Sequence, residues 1–193
     1  MLEAFGISAM LVAIGEIGDK TQLLALLLAV RFRRPAPILF GILVATLANH
    51  ALAGFVGGWV RMQLSAETLR WVVGLSFLGI AAWALVPDTL DDDEAPEPAD
   101  KYGIFFLTVV TFFLAEIGDK TQLATMALAA RFDSLIAVVA GTTLGMMIAD
   151  APAVLFAEKL TKRVPLTLVR TVAAILFALL GMAALLGVGS GSP

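Results

Sequence analysis

Cysteine is absent from this 193-residue chain, and histidine occurs once, at His50. Without thiols there is no disulfide framework and no thiolate metal centre. A Zn2+ or Cu+ site normally recruits His or Cys, so the near-absence of both argues against one. Ionisable residues are few, at 15% of the chain. No cluster of Lys and Arg suits a phosphate backbone, so nucleic acid is not an expected partner. The first ten residues, MLEAFGISAM, carry no basic segment ahead of the apolar stretch. They read as the start of a membrane helix rather than as a cleavable signal peptide.

Hydrophobic residues make up 60% of the chain, against about 45–50% in average globular usage, and the mean hydropathy is +0.94. They fall in runs long enough to cross a bilayer, which takes about 20 helical residues. Six spans are expected, at 4–30, 36–59, 69–87, 103–130, 134–157 and 166–188. The expected fold is an all-α membrane protein, one polytopic domain surrounded by lipid.

Eight consecutive residues, EIGDKTQL, occur at 16–23 and again at 116–123. At the same offset Arg31-Phe32 matches Arg131-Phe132, Gly41 matches Gly141, and Ala51 matches Ala151. The chain thus divides into a first three-helix repeat at 1–87, an acidic linker at 88–102 and a second three-helix repeat at 103–193. Three spans per repeat is odd, so the second copy enters the membrane from the opposite side. Inverted repeats of this kind are common in secondary transporters, with sites near the midplane at the repeat interface. The linker, DDDEAPEPAD at its centre, lacks the spacing and turn glycine of a calcium loop and reads as a solvated connection.

Lys and Arg in short loops set the orientation. One side holds Arg31, Arg33, Arg34, Lys101, Lys159, Lys162, Arg163 and Arg170; the other holds Arg61, Arg70 and Arg131. The first set is expected in the cytoplasm with the linker, and both termini outside.

Each motif puts two carboxylates and a lysine in the middle of an apolar span. An Asp, Lys or Arg at a helix centre costs roughly 2.5–3.5 kcal/mol on the insertion scale. Such groups must face the protein interior. On a continuous helix Glu16 and Asp19 share a face, as do Glu116 and Asp119. The two helices together would bring four carboxylates into one site. That density of negative charge is relieved by binding a cation or taking up protons, and competition between the two is the basis of metal–proton exchange. The ligands on offer are all oxygen: the carboxylates of Glu16, Asp19, Glu116 and Asp119, the hydroxyls of Thr21 and Thr121, and the amide carbonyls of Gln22 and Gln122. Oxygen sites favour Ca2+, Mn2+ and Mg2+.

Lys20 and Lys120 stand four residues after their Glu, where a pair on one helix face would neutralise both. They would then be structural, or would hold the empty site's charge until a cation arrives. Gly18 and Gly118 either break the helix or permit close packing. Asp150 reads as a proton relay or ligand, or as a cap on a break before Pro152. His50, at the matching repeat position, reads as a satisfied interior histidine ahead of a proton carrier. Gly54, Gly57 and Gly58 read as packing surfaces, and Met146-Met147 as core.

Two copies of Glu-x-Gly-Asp-Lys/Arg-Thr/Ser in a two-repeat, six-helix chain resemble the Gdt family of Golgi manganese and calcium transporters and bacterial manganese exporters. The pattern lands on Glu16, Gly18, Asp19, Lys20 and Thr21, then on Glu116, Gly118, Asp119, Lys120 and Thr121, without departure. The resemblance covers essentially the whole chain and implies antiport of Mn2+, with Ca2+ as second candidate, against protons. The metal would be cargo, with no cofactor. The short form points to a prokaryotic plasma membrane, and a homo-oligomer stays open. The alternative carried forward is an exporter of a small organic solute such as a cationic amino acid. A channel would need no counter-ion, and an enzyme would need a nucleophile or catalytic metal that the sequence does not offer.

Overall fold

The computed structural model describes residues 1–86, 101–157 and 166–188. Among them lie eight helices and no strand: α1 (Leu2–Gly15), α2 (Lys20–Phe32), α3 (Pro35–Gln63), α4 (Ala66–Ala84), α5 (Lys101–Glu116), α6 (Lys120–Arg131), α7 (Leu135–Leu155) and α8 (Leu166–Leu185). Helices α3, α7 and α8 are long and apolar enough to cross a membrane, and α5 with α6 makes a fourth crossing if the bent pair is one span. The acidic stretch from Pro87 to Asp100 lies outside the described residues, as do Lys159, Lys162 and Arg163. Helix α5 begins at Lys101, two residues inside the expected linker.

The first and fourth expected spans are not continuous helices. Each divides at its motif, and α5 and α6 meet at 71°. The cause is local: Gly18 has φ 80° and Gly118 φ 76°, a left-handed conformation that glycine adopts without the Cβ penalty other residues incur. The break before Pro152 does not occur, because α7 runs through that proline to Leu155. Elsewhere the helix ends follow ordinary chemistry. Pro35 opens α3 at its first position, where its missing N–H has no intrahelical partner to lose. The Ser65 and Ser134 hydroxyls cap α4 and α7 by accepting from Thr68 N–H and Ala137 N–H.

Packing crosses between the halves. Helix α1 lies along α7 and α5 along α3, while α2 packs on α7, α6 on α3 and α4 on α8. Gly41 and Gly141 make matching close approaches. A methyl on Gly41 would stand 2.6 Å from Thr108 Cβ, and one on Gly141 2.5 Å from the Phe5 carbonyl oxygen and 2.9 Å from Ser8 Cβ. Phe105 faces Gly41 as Phe5 faces Gly141, so each contact has its counterpart one hundred positions away. Phe77 and Phe177, another pair at that offset, stack between α4 and α8 with centroids 6.4 Å apart. Gly54 and Gly57 take part in α3 packing, and Gly58 does not. Met146 is buried in the core beside Leu24, Leu28, Ile42 and Phe112. Outward, large apolar side chains such as Phe40, Phe55, Trp59, Phe106, Leu114 and Leu179 are exposed, as suits contact with lipid.

Replacing Gly141 by Val drives side-chain atoms into the α1 backbone. Thermal unfolding in detergent is expected to show a loss of about 1–3 kcal/mol or more. Gly58→Ala, where an added methyl meets nothing within 4 Å, is expected instead to raise stability by about 0.5–1 kcal/mol.

Candidate cation site at the two helix breaks

The two copies of EIGDKTQL fold alike. Glu16 closes α1, its N–H bonded to the Val12 carbonyl, and Asp19 N–H donates to the Glu16 carbonyl at 3.0 Å. Asp19 then takes the N-cap of α2, in extended backbone at φ −80° and ψ 166°. Asp119 does the same for α6 at φ −79° and ψ 161°, after an Asp119 N–H to Glu116 carbonyl bond of 3.2 Å. Within each copy the glutamine reaches back: Gly18 N–H donates to Gln22 Oε1 at 2.8 Å, and Gly118 N–H to Gln122 Oε1 at 2.8 Å. A carboxylate at the N-cap with Gln three residues on is a variant of the capping box, here satisfying the N–H one residue earlier. The freed glutamine Nε2 ties each break to the other half. Gln22 donates to the Ala149 carbonyl at 2.9 Å and Gln122 to Asn49 Oδ1 at 3.0 Å.

Glu16 and Asp19 therefore do not share a helix face, as a continuous helix would require. They flank a break, and so do Glu116 and Asp119. The lysines change partner for the same reason. Lys20 Nζ stands 3.3 Å from Asp119 Oδ1, and Lys120 forms an ion pair with Asp19. Each lysine forms its ion pair with the aspartate of the other motif, and both ammonium groups also act electrostatically on Glu116. The two are not equivalent: the Lys20 side chain is 29% exposed and that of Lys120 5%.

The carboxylates come together unevenly. Glu16, Glu116 and Asp119 each offer an oxygen, and all three lie within 4.8 Å of one another. Asp19 stands outside this group, beside Lys120. Glu16 is held by both motif threonines: Thr21 Oγ1 donates to its Oε2 at 2.5 Å and Thr121 Oγ1 to its Oε1. Glu116 receives neither hydroxyl. Its Oε1 faces His50 Nε2 at 3.5 Å, and neither of its oxygens accepts a hydrogen bond among the described residues. Asp150 is fully buried, its oxygens also without hydrogen-bond partners, within electrostatic reach of Glu116 and Glu16. It caps nothing. His50 is interior, as expected, but neither ring nitrogen has a hydrogen-bond partner among the described residues.

Five carboxylates, Glu16, Asp19, Glu116, Asp119 and Asp150, are thus buried here, and two ammonium groups form ion pairs with two of them. A divalent cation or protons would offset the excess negative charge. The first turns of α2 and α6 also start here, adding the positive ends of two helix dipoles to hold the carboxylates in place. Oxygen donors from both halves can meet one hard cation. Asn49 lies in neither motif and joins the site by accepting from Gln122 Nε2. The Arg61–Asp133 ion pair at the end of α3 went unforeseen.

Apolar helices broken at buried carboxylates define a helical membrane transporter for cations. The profile of the family described as "Divalent cation/proton antiporter GDT1" matches residues 4–92 and 104–191. The chain belongs to this family, whose members are transporters rather than enzymes. It is 48% identical over 184 residues to a Vibrio cholerae protein named "Putative manganese exporter", covering 95% of this chain and 90% of that one. It is 29% identical to the Synechocystis "GDT1-like protein sll0615", over 93% of this chain and 95% of that one. With "GDT1-like protein 3" of Arabidopsis thaliana it shares 29% identity over 92% of this chain and 68% of the other. No solved structure matches.

The crossed ion pairs make a test. Lys120→Met leaves the Asp19 carboxylate buried without its cation and is expected to cost about 3–5 kcal/mol. Lys120→Met with Asp19→Leu removes both charges and is expected to recover most of that loss in a thermal melt.

Proposed function

We propose that this protein exports Mn2+ from the cytoplasm in exchange for protons. The observation that carries the reading is the meeting of Glu16, Glu116 and Asp119 oxygens, from both copies of the motif, within 4.8 Å at two helix breaks. Glu16, Asp19, Glu116 and Asp119 bind the cation and carry protons in turn. Thr21 and Thr121 complete or orient the shell through Glu16. Gln22 and Gln122 orient it by bracing the Gly18 and Gly118 amides. Lys20 is the lysine better suited to withdraw when a cation arrives, being the more exposed; Lys120 serves as a fixed strut.

The chain is read as six spans in two inverted three-helix repeats, at 1–87 and 103–193. Support comes from the reciprocal contacts of Gly41 with Phe105 and Thr108, and of Gly141 with Phe5 and Ser8. Rocking of one repeat against the other exposes the site to each side in turn. The bacterial relative named for manganese export supports Mn2+ over Ca2+ as cargo and a prokaryotic inner membrane as location. The Lys and Arg distribution supports a cytoplasmic acidic linker with both termini outside.

Purified protein in liposomes loaded with a pH-sensitive dye tests this directly. With a proton gradient imposed, Mn2+ is expected to trigger proton flux and to outrank Ca2+, with Mg2+ weakest. Glu16→Gln and Asp119→Asn are each expected to reduce the flux to that of empty liposomes while still inserting in the membrane. Near-normal transport by both variants would sink the site. Metal entry without proton movement would turn the reading to a channel, and competition by a cationic amino acid to the organic-solute exporter.

A further inference from the structure

Three groups around the site have no place in the eight-residue motif: His50 on α3, Asp150 on α7 and Asn49 on α3. His50 carries the most information. It is 0% exposed, and neither ring nitrogen has a hydrogen-bond partner among the described residues. Buried imidazoles are ordinarily satisfied, because an unmet polar atom away from water loses the hydrogen bonds it had in solvent. Its nearest charged neighbour is Glu116, whose two oxygens accept no hydrogen bond either.

The separation of the two side chains is informative. His50 Nε2 lies 3.5 Å from Glu116 Oε1, beyond a normal hydrogen bond. Two ligands held at about 2.1 Å from one ion stand roughly 3.0–3.4 Å apart at cis positions. The pair is therefore set close to the spacing of adjacent ligands, without being bonded to each other. Glu116 also belongs to the group of three carboxylates with Glu16 and Asp119. His50 is not a member of that group, so an ion held by Glu116 and His50 together would sit at the edge of the oxygen cluster.

We propose that His50 is a nitrogen ligand of the transported cation, sharing it with Glu116, and that it makes the site prefer a transition divalent ion to Ca2+ or Mg2+. The inference rests on the reading of the carboxylate cluster as the transport site and names the class of its substrate. An all-oxygen site separates Mn2+ from Ca2+ only by size and rigidity. Carboxylate oxygen suits all three ions, and one imidazole adds a borderline nitrogen donor that first-row transition ions, Mn2+ the weakest among them, bind more readily than Ca2+ or Mg2+. Asp150 stands at the matching position of the second half, so only one half offers a nitrogen there.

The chain contains a single histidine, which makes the test unambiguous in protein purified through a histidine-free tag. Mn2+ bound to the wild-type protein in detergent is examined by pulsed electron paramagnetic resonance for imidazole nitrogen coupling. Coupling is expected, and it is expected to disappear in His50→Ala and His50→Gln. Titration of both variants should show Mn2+ binding weakened by about tenfold or more, with Ca2+ and Mg2+ binding shifted less than about threefold. Bound Mn2+ without nitrogen coupling in the wild type would overturn the ligand while leaving the carboxylate site standing. Equal weakening of all three cations would overturn the selectivity role. Failure of the wild-type protein to bind Mn2+ at all would remove the cation site, and His50 as its ligand with it.

Discussion

Inside a bilayer a freed backbone group or an ionised side chain has no water to turn to, and every such group must be met within the protein. Each motif frees backbone by breaking its helix at a glycine, and it adds two carboxylates and a lysine at the same point. The glutamine three residues after the N-cap takes the glycine N–H, and the aspartate sits at the exposed start of the next helix. What remains is met across the molecule: Lys20 by Asp119, Lys120 by Asp19, Gln22 by Ala149, Gln122 by Asn49. Neither half can satisfy its own motif. The glycine contacts at Gly41 and Gly141 bring the helices close enough for these crossings to form.

Much of this was legible in the chain. Helices α3 and α7 fall within a few residues of the expected spans, because the long apolar runs carry them and α7 continues through Pro152. The four motif carboxylates are buried, as their place in apolar stretches required. The breaks were harder to read, since Asp-Lys-Thr-Gln sits inside an apolar stretch whose hydropathy alone suggests one continuous span. The local signal was present: a glycine, then an aspartate with glutamine three residues later, is the grammar of a helix start. Taking the helix as continuous also missed the aspartates with which the lysines form their ion pairs. A Glu–Lys pair four residues apart exists only while the helix does. Which aspartate replaces the glutamate depends on α1 and α5 packing on α7 and α3, and sequence spacing does not encode that.

Two identical eight-residue segments adopt nearly identical backbones and still sit in different surroundings. Glu16 holds two threonine hydroxyls, whereas Glu116 faces His50. Lys120 is sealed in and Lys20 is not. Within the motifs nothing distinguishes the halves, so the inequality comes from outside them. Helix α4 packs on α6 and α1 on α8, while the reciprocal pairings are at most marginal among the described residues.

That arrangement bears on how an alternating-access cycle would run. If the repeats rock so that each takes the other's environment, the motif contacts broken on one side are re-made on the other with the same residues. The motif itself then contributes almost no difference in free energy between the two states, and the equilibrium stays close enough to balance for a cargo ion to shift it. The bias must come from positions where the halves differ around the site. Helices α3 and α7 supply them: Asn49 opposite Ala149, and His50 opposite Asp150. Exchanging the two environments moves the cation from a glutamate beside an imidazole to one near a carboxylate. Identity in the motif would thus keep the two states close in energy, and difference between α3 and α7 would decide which state holds the ion more tightly.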